Sequence, residues 1–86
     1  MIVYHCIGAN KLKRRLKGNR CLPPPVRAWK KIESAERFSK QTGRQIILRL
    51  KFPDDERTKH LEGHRGEAVY VDRFVPLLMF GNNSLR

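Results

Sequence analysis

The stretch Gln45-Ile46-Ile47-Leu48-Arg49-Leu50-Lys51-Phe52 constrains this chain most. Ile46, Leu48, Leu50 and Phe52 alternate with Ile47, Arg49 and Lys51. Successive side chains of an extended chain point to opposite faces, so this period of two predicts a strand over residues 45–52. One of its faces belongs to a core. The other begins apolar and ends basic, so its far end is solvated or meets an anion. The remaining apolar runs are placed around this strand. Residues 2–7 are short, apolar and bounded by Gly8, and read as a buried strand. Residues 26–29 and 67–71 are two more strands, and residues 76–80 a last one. Residues 53–66, opening with Pro53-Asp54-Asp55-Glu56, are expected to be a polar loop.

Two segments carry helical spacing. Leu12 and Leu16 are four apart and share a face, which predicts a helix over 11–17, capped by Asn10 and stopped at Gly18. A second helix spans 33–42, with Ile32, Ala35 and Phe38 as its buried stripe and Gly43 as its stop. Glu33 and Glu36 suit its positive end, and Arg37 and Lys40 the other. Cys21-Leu22-Pro23-Pro24-Pro25 is poor strand and cannot be helix, because three prolines lock a stiff, extended connector. The expected order, β-α-β-α-β-β-β, is a small single α+β domain: a four- to five-stranded, mostly antiparallel sheet with two short helices. It covers residues 1–80, and residues 81–86 form a C-terminal tail.

With 86 residues the chain has room for one domain and a limited core. No apolar run approaches the roughly 18 residues of a membrane span. The first residues are too short and too polar for a signal peptide, so the expected location is the cytoplasm. In that compartment Cys6 and Cys21 are free thiols, one buried and one in a loop. They stand fifteen residues apart, and although His60 and His64 have H-x3-H spacing, zinc sites pair their cysteines closely. No metal site is assigned.

Charge is distributed unevenly. Residues 1–31 hold nine Lys or Arg and no acid, whereas residues 32–86 hold ten against eight, so the net +11 divides as +9 and +2. Lys11, Lys13, Arg14, Arg15, Lys17 and Arg20 fall within ten residues. Their repulsion would weaken an isolated helix, so packing or a bound anion must compensate. Such a surface attracts polyanions, RNA and DNA foremost. Trp29, flanked by Arg27, Lys30 and Lys31, either stacks on a base between phosphate contacts or anchors the core beside the second helix. In Gly63-His64-Arg65-Gly66-Glu67, His64 and Arg65 could hold a phosphate and Glu67 could serve as a base. Alternatively, the segment is a solvated turn with Glu67 paired to a cation. His5, in mid-strand, is either a satisfied core histidine or part of a cleft. P-loop, dinucleotide-glycine and nucleophile-elbow motifs are absent.

The order of these features resembles the ADP-ribosyltransferase fold, in particular the C-terminal lobe of RNA 2'-phosphotransferases. Tyr4-His5-Cys6-Ile7 stands where that lobe has a Tyr-His-Gly-Thr-like motif. The short helix, the proline-bearing loop, residues 26–29 and Ser34-Ala35-Glu36-Arg37-Phe38 follow in the family's order. Gly43-Arg44-Gln45-Ile46-Ile47-Leu48 matches its Gly-Arg before an apolar strand. Residues 67–71 and Val75-Pro76-Leu77 match its closing strands. Cys6 and Ile7 depart from the family's small Gly and Thr. The resemblance implies NAD as cofactor, His5 on the NAD ribose, Glu67 as catalytic acid, and Arg27 or Arg44 on a phosphate.

Three functions fit the sequence. The charge points first to a small nucleic-acid-binding protein that uses its basic first third on the phosphate backbone. The resemblance points to an ADP-ribosyltransferase-like enzyme that uses NAD or transfers phosphate on RNA. The basic first helix would equally suit an acidic protein partner.

Overall fold

The computed structural model describes residues 1–77. Its elements are β1 (Ile2–Ile7), α1 (Ala9–Lys17), β2 (Cys21–Leu22), β3 (Val26–Trp29), α2 (Ile32–Thr42), β4 (Ile46–Lys51), β5 (Thr58–His60), a short 3-10 turn (His64–Gly66), β6 (Ala68–Val71) and β7 (Val75–Pro76). Five strands form one antiparallel sheet in the order β4-β1-β3-β6-β5, and β2 and β7 pair as a separate ribbon. The fold is the expected α+β domain. Among the described residues no helix is long and apolar enough to cross a membrane.

The alternation that predicted β4 divides its side chains between two faces. Leu48 and Leu50 join Val3, Val26, Val69 and Val71 in the larger apolar cluster, on the face covered by α1 and the β2–β7 ribbon. Leu12 and Leu16 of α1 pack against that cluster, as their spacing requires. Ile47 belongs to the other face, where it forms a smaller cluster with Cys6 and Ala35, lined by Tyr4, Trp29 and Phe38. Helix α2 covers this second face mainly over β1, β3 and β4. Among the described residues α2 lies mainly clear of the same face of β6 and β5, and the 3-10 turn packs against β6.

Several boundaries differ from the sequence-based expectation. Helix α1 begins at Ala9, because Gly8 is extended (φ −77°, ψ 153°) and its carbonyl accepts from the Leu12 N–H at 3.0 Å. Asn10 therefore lies inside the first turn and does not cap it. The loop expected over 53–66 contains β5 and the 3-10 turn. Cys21 and Leu22, expected to be connector because prolines follow, pair with Pro76 and Val75. The strand expected over 76–80 is Val75–Pro76, and residues 78–80 of that expectation lie outside the described residues. The tail assigned to residues 81–86 lies outside them too. Helix α2 starts one residue earlier than expected and ends at Gly43, whose φ of 72° suits glycine.

The pairing of β1 is lopsided, and this positions the site. Along β4 it is paired at all six residues, from Ile2 opposite Lys51 to Ile7 opposite Ile46. Along β3 only Tyr4 opposite Trp29 is in register. Beyond that pair a side chain takes over: the His5 Nδ1 donates to the Arg27 carbonyl at 2.6 Å.

Candidate functional site

At the break in the β1–β3 ladder lies a cleft of about 340 Å³. His5 and Cys6 of β1, Arg27 and Trp29 of β3, Phe38 of α2 and Arg44 after α2 all border it, with Leu61 and His64 at the rim. A second hollow of about 320 Å³ adjoins it, bordered by Ser34, Arg37, Gln41, Arg65 and Glu67. The two share Trp29, Phe38 and His64. Trp29 is the hinge of this arrangement. Its ring centre lies 5.7 Å from that of Phe38, with the ring planes inclined at 49°, and 5.4 Å from that of His64 in an edge-on contact. The half-buried Trp29 ring packs against the smaller core cluster and also borders the cleft. The Arg44 guanidinium sits 5.5 Å from the Phe38 ring centre, a cation–π contact that holds positive charge at the cleft wall.

His5 is half-buried. A carbonyl only accepts, so Nδ1 carries the proton toward Arg27 and Nε2 is the acceptor of the neutral ring. Burial holds the imidazole below its ordinary 6.5. The bond to the Arg27 carbonyl opposes that shift, and the charges of Arg44 and Lys11 add to it. Lys11, in the first turn of α1, is thus close enough for its charge to act on His5. Cys6 donates to the Ala35 carbonyl at 3.2 Å, and burial raises its thiol above its usual value, which makes it a packing residue. Both cysteines are free.

Glu67 is held from three sides. Ser34 donates to one carboxylate oxygen, Lys31 lies 3.5 Å from the other, and the Glu67 carbonyl accepts from the Lys30 N–H at 2.7 Å. The Ser34 hydroxyl, then the charges of Lys31 and Arg37, lower its carboxyl below the ordinary glutamate value. Glu67 is thus paired to a cation, one of the two alternatives its sequence allows, yet it also borders the second hollow. His5 and Glu67 occupy different hollows and do not meet.

The turn before Glu67 is unusual. Gly63, His64, Arg65 and Gly66 all have positive φ, at 77°, 52°, 54° and 71°. Gly66 N–H donates to Gly63 at 3.1 Å and Glu67 N–H to His64 at 2.9 Å, closing a left-handed turn. For His64 and Arg65 this backbone costs about 1–2 kcal/mol per residue. The outcome is that His64 is set against Trp29, where the hollows join, and Arg65 borders the second hollow with Glu67.

The basic cluster of the first third is on α1 and the turn after it. Lys11, Lys13, Arg14, Lys17 and Arg20 are exposed and Arg15 is half-buried. None of them forms an ion pair among the described residues. None of them lines the cleft, although the charge of Lys11 acts on His5. The structure therefore brings together His5, Arg27, Trp29, Arg44, His64, Arg65 and Glu67 around two joined hollows, and keeps the rest of the α1 cations on another surface. Sequence reasoning placed Phe38 only in the core and did not single out Ser34. The i, i+4 spacing of the two on α2 was the available signal, but it needed the turn's position to acquire meaning. Among the described residues no group of three or more His, Cys, Asp or Glu is placed to hold a metal ion.

No protein-family model, curated protein or solved structure matches this chain.

Proposed function

We propose that this protein binds nucleic acid, with phosphates drawn to Arg27 and Arg44 around the aromatic cleft and to Lys11 and the other exposed cations of α1. The observation that carries this reading is the placement of Arg27 and Arg44 beside Trp29, Phe38 and His64, with neither cation in an ion pair among the described residues. Aromatic rings beside cations suit bases beside phosphates. The charge of α1 adds sequence-independent affinity through counterion release. The test is fluorescence anisotropy with a labelled oligonucleotide over a salt series. Arg14→Glu with Arg15→Glu should weaken binding to RNA and DNA alike by about tenfold or more. The salt slope should flatten by about 1 for each phosphate that is no longer neutralised. Unchanged affinity and slope would remove α1 from the interface.

The arrangement of Glu67 favours a second reading, an ADP-ribosyltransferase-like enzyme using NAD on an RNA substrate. Its carboxylate is kept ionised by Ser34 and Lys31 in a hollow that adjoins the one lined by His5. NAD should then raise the melting temperature by mass action. His5→Ala and Glu67→Ala should abolish turnover while the protein stays folded. A melting temperature indifferent to millimolar NAD would count against it.

A further inference from the structure

We propose that the open half of the sheet, β3–β6–β5, is a platform for a single-stranded nucleic acid, with a base stacked on Tyr70 and phosphates at Arg27 and Lys59. This rests on the nucleic-acid reading and names the form of the ligand and two residues that reading does not use.

Strand register fixes the placement. Val26, Val69 and Val71 are buried on the α1 face. Arg27 and Tyr70 alternate with them and therefore point to the opposite face. Arg27 is opposite Tyr70, and Tyr70 is opposite Lys59. Cross-strand partners share a face, so Arg27, Tyr70 and Lys59 form one row across three strands. At a strand spacing of about 4.8 Å, the backbone positions of Arg27 and Lys59 are about 10 Å apart, with that of Tyr70 between them. The next row along, Trp29, Ala68 and Leu61, is the wall of the cleft. None of these six positions is acidic.

Among the described residues the row is also open. Helix α2 lies over β1, β3 and β4, Arg27 and Lys59 are exposed, and Tyr70 is half-buried. A duplex presents phosphates but keeps its bases paired, so it could use the cations and not the ring. An acidic peptide would likewise leave Tyr70 and Trp29 without planar partners. An unpaired strand uses both, and two aromatic residues one pleat apart allow successive bases to stack.

The test uses the full chain and anisotropy with a 12-nucleotide oligo-uridine, the same-length oligo-thymidine, a duplex of that length, and polyglutamate as competitor. Tyr70→Leu keeps an apolar side chain but removes the ring. It should weaken binding of the single strands by roughly tenfold while leaving duplex binding unchanged, and Tyr70→Phe should retain wild-type affinity. Lys59→Ala should weaken the single strand and flatten its salt slope by about 1. The proposal is overturned if folded Tyr70→Leu binds single strands as the wild type does, if the wild type prefers the duplex, or if polyglutamate competes as well as the oligonucleotides. Sensitivity to the α1 charge reversals with indifference to Tyr70→Leu would sink the platform alone. Failure to bind any nucleic acid would sink both readings.

Discussion

His5 joins the backbone to the cleft. Its folded form binds a proton less readily than the ordinary imidazole, first because of burial and then because of Arg44 and Lys11. The unfolded chain therefore takes up more protons just below pH 6.5, so stability rises with pH across that window and falls on acidification through it. We expect a melting temperature that drops between about pH 6.5 and 5, and a shallower drop in His5→Gln. Equal slopes in the two proteins would show that the imidazole does not titrate in this way. A phosphate in the cleft would favour the charged ring, so affinity for a phosphate-bearing ligand should tighten over the same range. Arg65 supplies a second residue-scale expectation. Its φ of 54° is strained for any L side chain. Arg65→Gly should gain up to about 1 kcal/mol in denaturant unfolding, because relief of the left-handed backbone is partly offset by a freer unfolded chain. If the guanidinium serves a phosphate, the same variant should bind nucleic acid less tightly. Greater stability together with unchanged binding would mark the turn as architecture only.

Among the elements, those with a dense pattern of apolar residues were legible and those with a sparse one were not. Strand β4 announced both its faces through alternating apolar residues, and α2 its inner face through Ala35 and Phe38. Strand β5 has one buried residue in three, Thr58, whose hydroxyl bonds the Pro53 carbonyl at 2.5 Å. Polar Thr-Lys-His gives no alternation to read. The β2–β7 ribbon is two residues deep, and its pairing depends on segments more than fifty residues apart. The candidate site was legible residue by residue, in His5, Trp29, Arg44 and His64, but not as a site, because the break in the β1–β3 ladder that gathers them has no local signature. The pairing of Lys59 with Tyr70 was illegible for the same reason: only register makes them neighbours. The end of α2 tests the local rules directly. Gly43 has φ 72°, donates to the Ser39 carbonyl at 2.9 Å and has open space where a Cβ would stand. Gly43→Ala should therefore cost about 1 kcal/mol through backbone strain alone, read as a lower denaturant midpoint with an unchanged m-value. A loss of several kcal/mol would mean that the loop to β4 shifts as well.

At the scale of the whole molecule the net charge of +11 acts on folding and binding with opposite signs. Repulsion among the α1 cations opposes compaction and is screened by salt, so the melting temperature should climb as sodium chloride rises from about 50 to 500 mM. Nucleic-acid affinity should fall over the same range. Both trends are read on one protein in one buffer series, and a melting temperature that falls with salt would contradict this account of α1. The sheet divides the interior unequally: most of the buried apolar side chains lie on the α1 face, and a small cluster of Cys6, Ala35 and Ile47 lies beneath α2. The cleft borrows its floor from that smaller cluster. Helix α2 can therefore breathe off the sheet while the larger cluster stays intact, and its amides should exchange with solvent well before those that lock β1 to β4. Anything seated against Trp29 and Phe38 would slow that exchange, so the protection of a helix it need not touch along its whole length would report its arrival.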